Sequence, residues 1–220
     1  MGKRMENVLQ EVANFISKNE NRVIIGISGH GASGKTTFAT KLLKMLEPND
    51  VNYLNTDPYI IGSDLRMYSS INYEYNSENH HSKMTACHPA AHNILALQRD
   101  VTMIKDGLDF YTIDTHYKNS TLISSQYIGN IVEGMSVAFV NPDLFDLKIY
   151  LYTDGETEFQ RRSVRDVSER GTSLNYLRES HEERRIQYEL FMHPYHQNFD
   201  VVIKSINGEY VLEKREYKSF

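Results

Sequence analysis

The chain has 220 residues, 40% hydrophobic and 24% charged, with a net charge of −5 and one cysteine, Cys87. That length suits one α/β domain with a full core, or at most two small ones. The acidic balance argues against a general nucleic-acid binder. A lone cysteine leaves no internal disulfide and fits a reducing, cytoplasmic setting. No stretch approaches the ~20 apolar residues of a membrane span, and Glu6, Gln10 and Glu11 interrupt any signal-like apolar run.

Residues Lys3 to Lys18 place Met5, Val8, Leu9, Val12, Phe15 and Ile16 at helical spacing, an amphipathic helix packed on the domain. Arg22 to Ser28 is a short β-branched run and reads as a buried strand. It opens into Gly29-His30-Gly31-Ala32-Ser33-Gly34-Lys35-Thr36, which fits Gly-x-x-x-x-Gly-Lys-[Ser/Thr], the phosphate-binding P-loop. A helix from Thr37 to Leu46 follows. Gly29, Gly31 and Gly34 permit the backbone angles that turn successive N–H groups toward a phosphate chain, and the helix start adds its positive dipole end. In such a loop Lys35 sits on the β- and γ-phosphates of ATP and the Thr36 hydroxyl ligates Mg²⁺. Residues 29–37 are therefore the candidate ATP site, Thr37 included.

Pro48-Asn49-Asp50 reads as a turn, and Val51 to Asn55 as a second strand ending at Thr56-Asp57-Pro58-Tyr59. Ligands of open α/β sheets bind at the carboxyl ends of strands, so Asp57 is a candidate to face the phosphates; a turn aspartate before proline is the alternative. Residues 60–86 are polar and read as an irregular functional loop or insertion, with His80 and His81 as solvated loop histidines. His88-Pro89 leads into a helix near residues 90–99. Leu108 to Asp114 alternates as a one-sided strand, an accessory antiparallel ribbon that runs into His116.

Tyr127 to Val132 is a third core strand, with Glu133 at its carboxyl end, where an acid orders Mg²⁺ in P-loop proteins. Leu147 to Thr153 is a fourth. The helix Glu156 to Arg170 carries Arg161, Arg162, Arg165 and Arg170, and such forks suit phosphates; a solvated face paired with Glu158, Asp166 and Glu169 is the alternative. A charged helix from Leu174 to Phe191, a fifth strand from Asp200 to Lys204, an Asn207-Gly208 hairpin turn and an edge strand from Glu209 to Lys214 complete the chain. The expected fold is α/β, a P-loop NTPase fold. It has a five-stranded parallel core sheet flanked by helices, a small β ribbon and an Arg-rich lid. It forms a single domain over 1–220, with an insertion near 58–128 and the lid near 155–192.

These segments, in this order, resemble the uridine kinase branch of the P-loop kinases. The match is carried by Ile27 to Thr37, Thr56-Asp57-Pro58-Tyr59, His88-Pro89, Phe110 to His116, Ile131-Val132-Glu133-Gly134 and Arg161-Arg-Ser-Val-Arg-Asp-Val-Ser-Glu-Arg-Gly171. The resemblance implies ATP- and Mg²⁺-dependent phosphorylation of a small-molecule acceptor, with uridine or cytidine the leading choice, and a homo-oligomer. It implies that Asp57 takes the acceptor proton, that Glu133 stands by Mg²⁺, and that Tyr59, His88, Tyr111 and His116 line the acceptor pocket. Arg162 would reach the acceptor, while Arg165 and Arg170 would close on ATP. Cys87 and Ala90 depart from the family, which has acids beside His-Pro to hold the sugar; Thr172 stands where a further arginine belongs. Other acceptors, such as a sugar phosphate or a pantothenate-like alcohol, and a non-catalytic nucleotide switch stay open on these residues.

Overall fold

Helix α1 (Lys3–Lys18) buries Val8, Leu9, Val12, Ala13 and Ile16 on one face, each large side chain contributing about 2 kcal/mol of apolar burial. The structure is a computed structural model; it describes residues 3–46 and 51–217, apart from the side chains of residues 3, 4, 169 and 170. The turn expected at Pro48-Asn49-Asp50 and the Arg170 side chain lie outside the described residues.

After α1 come β1 (Val23–Ser28), the P-loop, α2 (Lys35–Leu43) and β2 (Val51–Asn55). A short α3 (Ser63–Arg66), β3 (Ser70–Tyr75), β4 (Glu78–Lys83), α4 (Ile94–Lys105), β5 (Phe110–Tyr111) and β6 (Leu122–Ile123) follow. The core resumes with β7 (Gly129–Glu133), β8 (Leu147–Thr153), α5 (Gly155–Arg170), α6 (Leu174–Phe191), β9 (Val201–Ile206) and β10 (Glu209–Arg215).

The main sheet has the order β10-β9-β8-β1-β7-β2. β2, β7, β1, β8 and β9 run parallel, and β10 closes the edge antiparallel to β9. All six residues of β1 are buried, as a strand covered on both faces requires. Ile25 and Ile27 pack with Val12, Phe38 and Leu42 beneath α1 and α2, while Ile24 packs with Leu97, Val101 and Ile104 of α4. β10 alternates exposed and half-buried residues, as an edge strand does. Among the described residues no helix is long and apolar enough to cross a membrane.

Parallel strands put their carboxyl ends on one edge. The P-loop leaves β1 there, Asp57 follows β2, Glu133 ends β7, and α5 starts just after β8.

Two expectations change. Residues 60–86 are not irregular: β3 and β4 pair in register from Ser70↔Lys83 to Tyr75↔Glu78, closed by Asn76 and Ser77 with φ of 51° and 64°. Two positive φ values in a two-residue turn match the twist of a hairpin. Its inner face packs on α6, with Tyr73 edge-on to Phe191 at 5.3 Å and Ser82 Oγ donating to Glu183 Oε1 at 2.7 Å. His80 is therefore packed rather than solvated, stacked on Tyr73 at 5.3 Å. The accessory ribbon is shorter than the Leu108–Asp114 run: only Phe110 and Tyr111 pair, with Ile123 and Leu122.

Candidate active site

The P-loop turns at Gly29, Ala32 and Gly34, with φ of 147°, 64° and 97°. Gly31 does not have a positive φ, so the third unusual angle belongs to Ala32. The glycine at 31 has another reason: a side chain there would start 2.7 Å from Arg184 Nη2. Ser33 Oγ is buried with no hydrogen-bond partner, a group whose desolvation a bound oxyanion would offset.

Glu133 is fully buried and gathers the site. Its Oε1 accepts from Thr36 Oγ1 at 3.1 Å and stands 3.9 Å from Lys35 Nζ. Its Oε2 accepts from Tyr53 OH at 2.7 Å and Asn55 Nδ2 at 3.0 Å. Burial and the Glu133 charge raise the Tyr53 pKa, which keeps that phenol a donor. The Thr36 hydroxyl oxygen and Glu133 Oε1 are two adjacent hard oxygens, and Mg²⁺ takes such a pair while keeping several waters. The residues fit the ion.

A cleft of about 430 Å³ lies against the outer side of the loop, lined by Gly34, Lys35, Thr36, Thr37, Arg161 and Arg165 among others. Arg161 Nη1 donates to Ala32 O at 3.1 Å and its Nη2 to Ser205 Oγ at 2.7 Å, tying α5 to the loop. Arg165 and Arg162 both grip Asp166, at 2.7 and 3.2 Å. They serve different spaces: Arg165 lines the cleft at the loop, and Arg162 lines a second cleft of about 620 Å³ between α3, the end of β4, α5 and α6.

Asp57 is exposed, and its backbone is held on both sides. Its N–H donates to Asn55 Oδ1 at 3.1 Å, and its carbonyl accepts from Tyr117 OH at 3.1 Å. Tyr117 thereby brings His116, whose ring is 4.9 Å from the tyrosine ring, to the same edge. Tyr111 is exposed on β5, and His88 is half-buried against Phe191 at 4.7 Å.

Two expected ligand residues are placed otherwise. Tyr59 is 1% exposed and its hydroxyl donates to buried Asp100, so it is a core residue. The His30 side chain turns away from the phosphate position. Its Nε2 accepts from the Thr153 N–H at 3.0 Å, so the ring proton is on Nδ1, 2.8 Å from Gly31 O and 3.4 Å from Glu158 Oε2. Burial pushes this histidine down to about 4, and it is neutral. Only its backbone serves the loop.

Glu158 is the centre of a polar cluster that sequence reasoning missed. It is 1% exposed and accepts from Arg184 Nε at 3.2 Å and Arg185 Nη1 at 3.0 Å. Burial alone would raise its carboxyl, but the His30 N–H and the two guanidiniums outweigh that and hold it at about 2. No local pattern marks Glu158 or Arg184, which sit in densely charged helices. Asn55 had a signal: it ends β2 as Asp57 follows it.

Comparison with known proteins identifies the family. The model of the phosphoribulokinase / uridine kinase family matches residues 24–211. The chain belongs to the phosphoribulokinase / uridine kinase family. It is an ATP-dependent kinase by that membership. A uridine kinase of Staphylococcus haemolyticus is 32% identical over 162 residues, 70% of this chain and 73% of that one. Uridine-cytidine kinase B of Dictyostelium discoideum is 27% identical over 202 residues, 87% and 72% of the two chains. A solved structure of phosphoribulokinase from Rhodobacter spheroides shares the fold, with a TM-score of 0.62 at 16% identity, covering 84% of this chain and 71% of that one. Cys87, just before His88-Pro89, is 0% exposed, and burial raises its pKa.

Proposed function

We propose that this kinase transfers the γ-phosphoryl group of ATP to a hydroxyl seated beside Asp57. The observation that carries the reading is the joint placement of Lys35, Thr36 and Glu133 at the head of α2, with Glu133 Oε1 3.1 Å from Thr36 Oγ1 and 3.9 Å from Lys35 Nζ. Lys35 and the loop N–H groups hold the phosphate chain; Thr36 and Glu133 hold Mg²⁺, which would neutralise the charge on the phosphate oxygens. Asp57 orients the acceptor hydroxyl and takes its proton late in the transfer. Arg165, with Arg170 and the loop-bound Arg161, offsets charge from the lid side.

For the acceptor, kinship with proteins named uridine kinase supports uridine or cytidine, converted to the 5′-monophosphate. A second reading, a different small alcohol, is favoured by Cys87, which is fully buried, and by Ala90, which carries no polar group. A site that loses the partners of a sugar diol loses selectivity for it steeply.

The test is ADP release coupled to acceptor, with Mg-ATP, uridine, cytidine and other alcohols, beside Asp57→Asn. Acceptor-dependent release that falls at least about 100-fold in the variant supports the assignment. Acceptor-dependent release untouched by Asp57→Asn removes Asp57 from the chemistry. ATP binding without acceptor-dependent release leaves a nucleotide switch instead.

A further inference from the structure

The second cleft, of about 620 Å³, has the wrong electrostatics for a neutral ligand. Arg66, Lys83, Arg162 and Arg184 all line it. The acids on its wall are largely engaged: Asp166 pairs with Arg162 and Arg165, and Glu183 accepts from Ser82 and meets His80 at 3.4 Å. Glu179 sits on the exposed side of α6.

Arg66 is the unusual member. Its Nε donates to Ile61 O at 2.8 Å and its Nη1 to Met84 O at 3.0 Å, so two backbone carbonyls fix the guanidinium. Among the described residues no carboxylate pairs with it. Burial first, and then the charge of Arg184, depress its pKa. Arg184 is fixed in turn through Nε on Glu158, while its Nη2 stands against Gly31 of the P-loop. Two half-buried guanidiniums, each anchored, line one cleft with Lys83 and Arg162, and Arg66 has no carboxylate partner among the described residues; an anion suits such a wall. Arg184 is thus the side chain that lines this cleft and also stands against the phosphate loop, while buried Cys87 and Ala90 offer no carboxylate to a sugar diol.

We propose that Arg66 and Arg184 form an anion subsite in this cleft, and that the alcohol phosphorylated here carries a phosphate or carboxylate group bound by them. This rests on the kinase reading above and decides between its two acceptors. Guanidinium forks bind either anion in bidentate fashion, so the two chemistries share the subsite. The phosphoryl transfer itself is unchanged: the acceptor oxygen bonds to the γ-phosphorus, the bond to ADP breaks, and the hydroxyl proton passes to Asp57.

Two measurements on the full chain test it. In the first, ADP release is followed with matched neutral and anionic alcohols: ribose against ribose 5-phosphate, glycerol against glycerol 3-phosphate and glycerate, with uridine and cytidine. Anionic acceptors are expected to exceed neutral ones at least about 100-fold in kcat/KM. Arg66→Gln is expected to raise KM for the anionic acceptor about 10- to 100-fold with KM for ATP within about twofold, and Arg66→Lys to restore part of it. Uridine or cytidine turning over as well as any anionic alcohol overturns the proposal. So does an equal rise in KM for ATP, which would assign the arginines to the ATP phosphates.

In the second, the unfolding midpoint is measured with inorganic phosphate while adenylyl imidodiphosphate and Mg²⁺ fill the P-loop. Saturable stabilisation of the wild type that is absent in Arg66→Gln supports the subsite even if no tested alcohol is turned over, in which case the kinase reading is what fails. No stabilisation of the wild type, or equal stabilisation of the variant, overturns it.

Discussion

Arg184 Nη2 occupies the space that a side chain on Gly31 would enter, at 2.7 Å from its first carbon. Glycine at 31 thus leaves room for a guanidinium from α6. At Gly29 the obstacle is backbone: an added carbon would overlap the Leu151 carbonyl, and the φ of 147° disfavours any side chain. The two glycines should therefore separate. Gly29→Ala is expected to cost about 3–5 kcal/mol, whereas Gly31→Ala only moves the end of a flexible side chain and costs under about 1 kcal/mol. Urea unfolding of both variants measures this; equal losses would disprove the distinction.

Glu133 joins α2 to β7 through Thr36 and collects Tyr53 and Asn55 on its other oxygen. Glu133→Gln keeps the shape and removes the charge. We expect kcat to fall at least about 100-fold, ~3 kcal/mol in the transition state, with a higher Mg²⁺ requirement. Chelating Mg²⁺ should abolish ADP release from the wild type. Titration of Mg²⁺ against rate checks both, and a variant with an unchanged Mg²⁺ midpoint would remove Glu133 from the metal's environment.

Acid should destabilise this fold earlier than its carboxylates alone require. His30 and His92 are both buried and held at about 4 against the ordinary histidine value of 6.5. For His92 the cause is burial, with Ser136 and the Ala86 carbonyl bonded to its two nitrogens at 2.7 and 2.8 Å. In the unfolded chain these rings take a proton near 6.5; in the folded chain they do not. The unfolded state thus binds more protons between those values, and stability falls as pH drops from about 6.5 to 4, by up to about 3 kcal/mol per ring. Glu158, held at about 2 against 4.5, adds a further loss below about 4.5. The unfolding midpoint should drop through that window, and His30→Gln should flatten the slope. A flat wild-type profile from pH 6.5 to 4 would show that the rings are not buried neutral.

Cys87 is 0% exposed with its pKa raised by burial. Thiol reagents react with thiolates, so the native chain should label at well under about a hundredth of the unfolded rate. One equivalent should appear on denaturation. Rapid labelling of the native protein would place the thiol in the acceptor cleft.

The sequence by itself determined the strand–loop–helix of the P-loop, the five parallel strands and closing edge strand, and the acids after β2 and at the end of β7. Each of these rests on local signals: β-branched runs, a fixed glycine and lysine spacing, and strand ends that parallel topology gathers on one edge. The hairpin β3–β4 also left a trace, an alternation of Ile71, Tyr73 and Tyr75 up to an Asn-Ser turn, hidden by its polar partner strand.

Only the tertiary structure decided which charged and aromatic side chains face a ligand. Tyr59 follows Asp57 by two residues, yet a buried Asp100 draws its hydroxyl into the core. His30 lies inside the P-loop, yet its ring is held by Thr153 and Glu158. Glu158 and Arg184, 26 residues apart, meet beneath that loop. A charged residue in a charged helix has no sequence mark that separates a solvated position from a buried one. Burial is a property of the partner surface, and that surface exists only once α5 and α6 have docked.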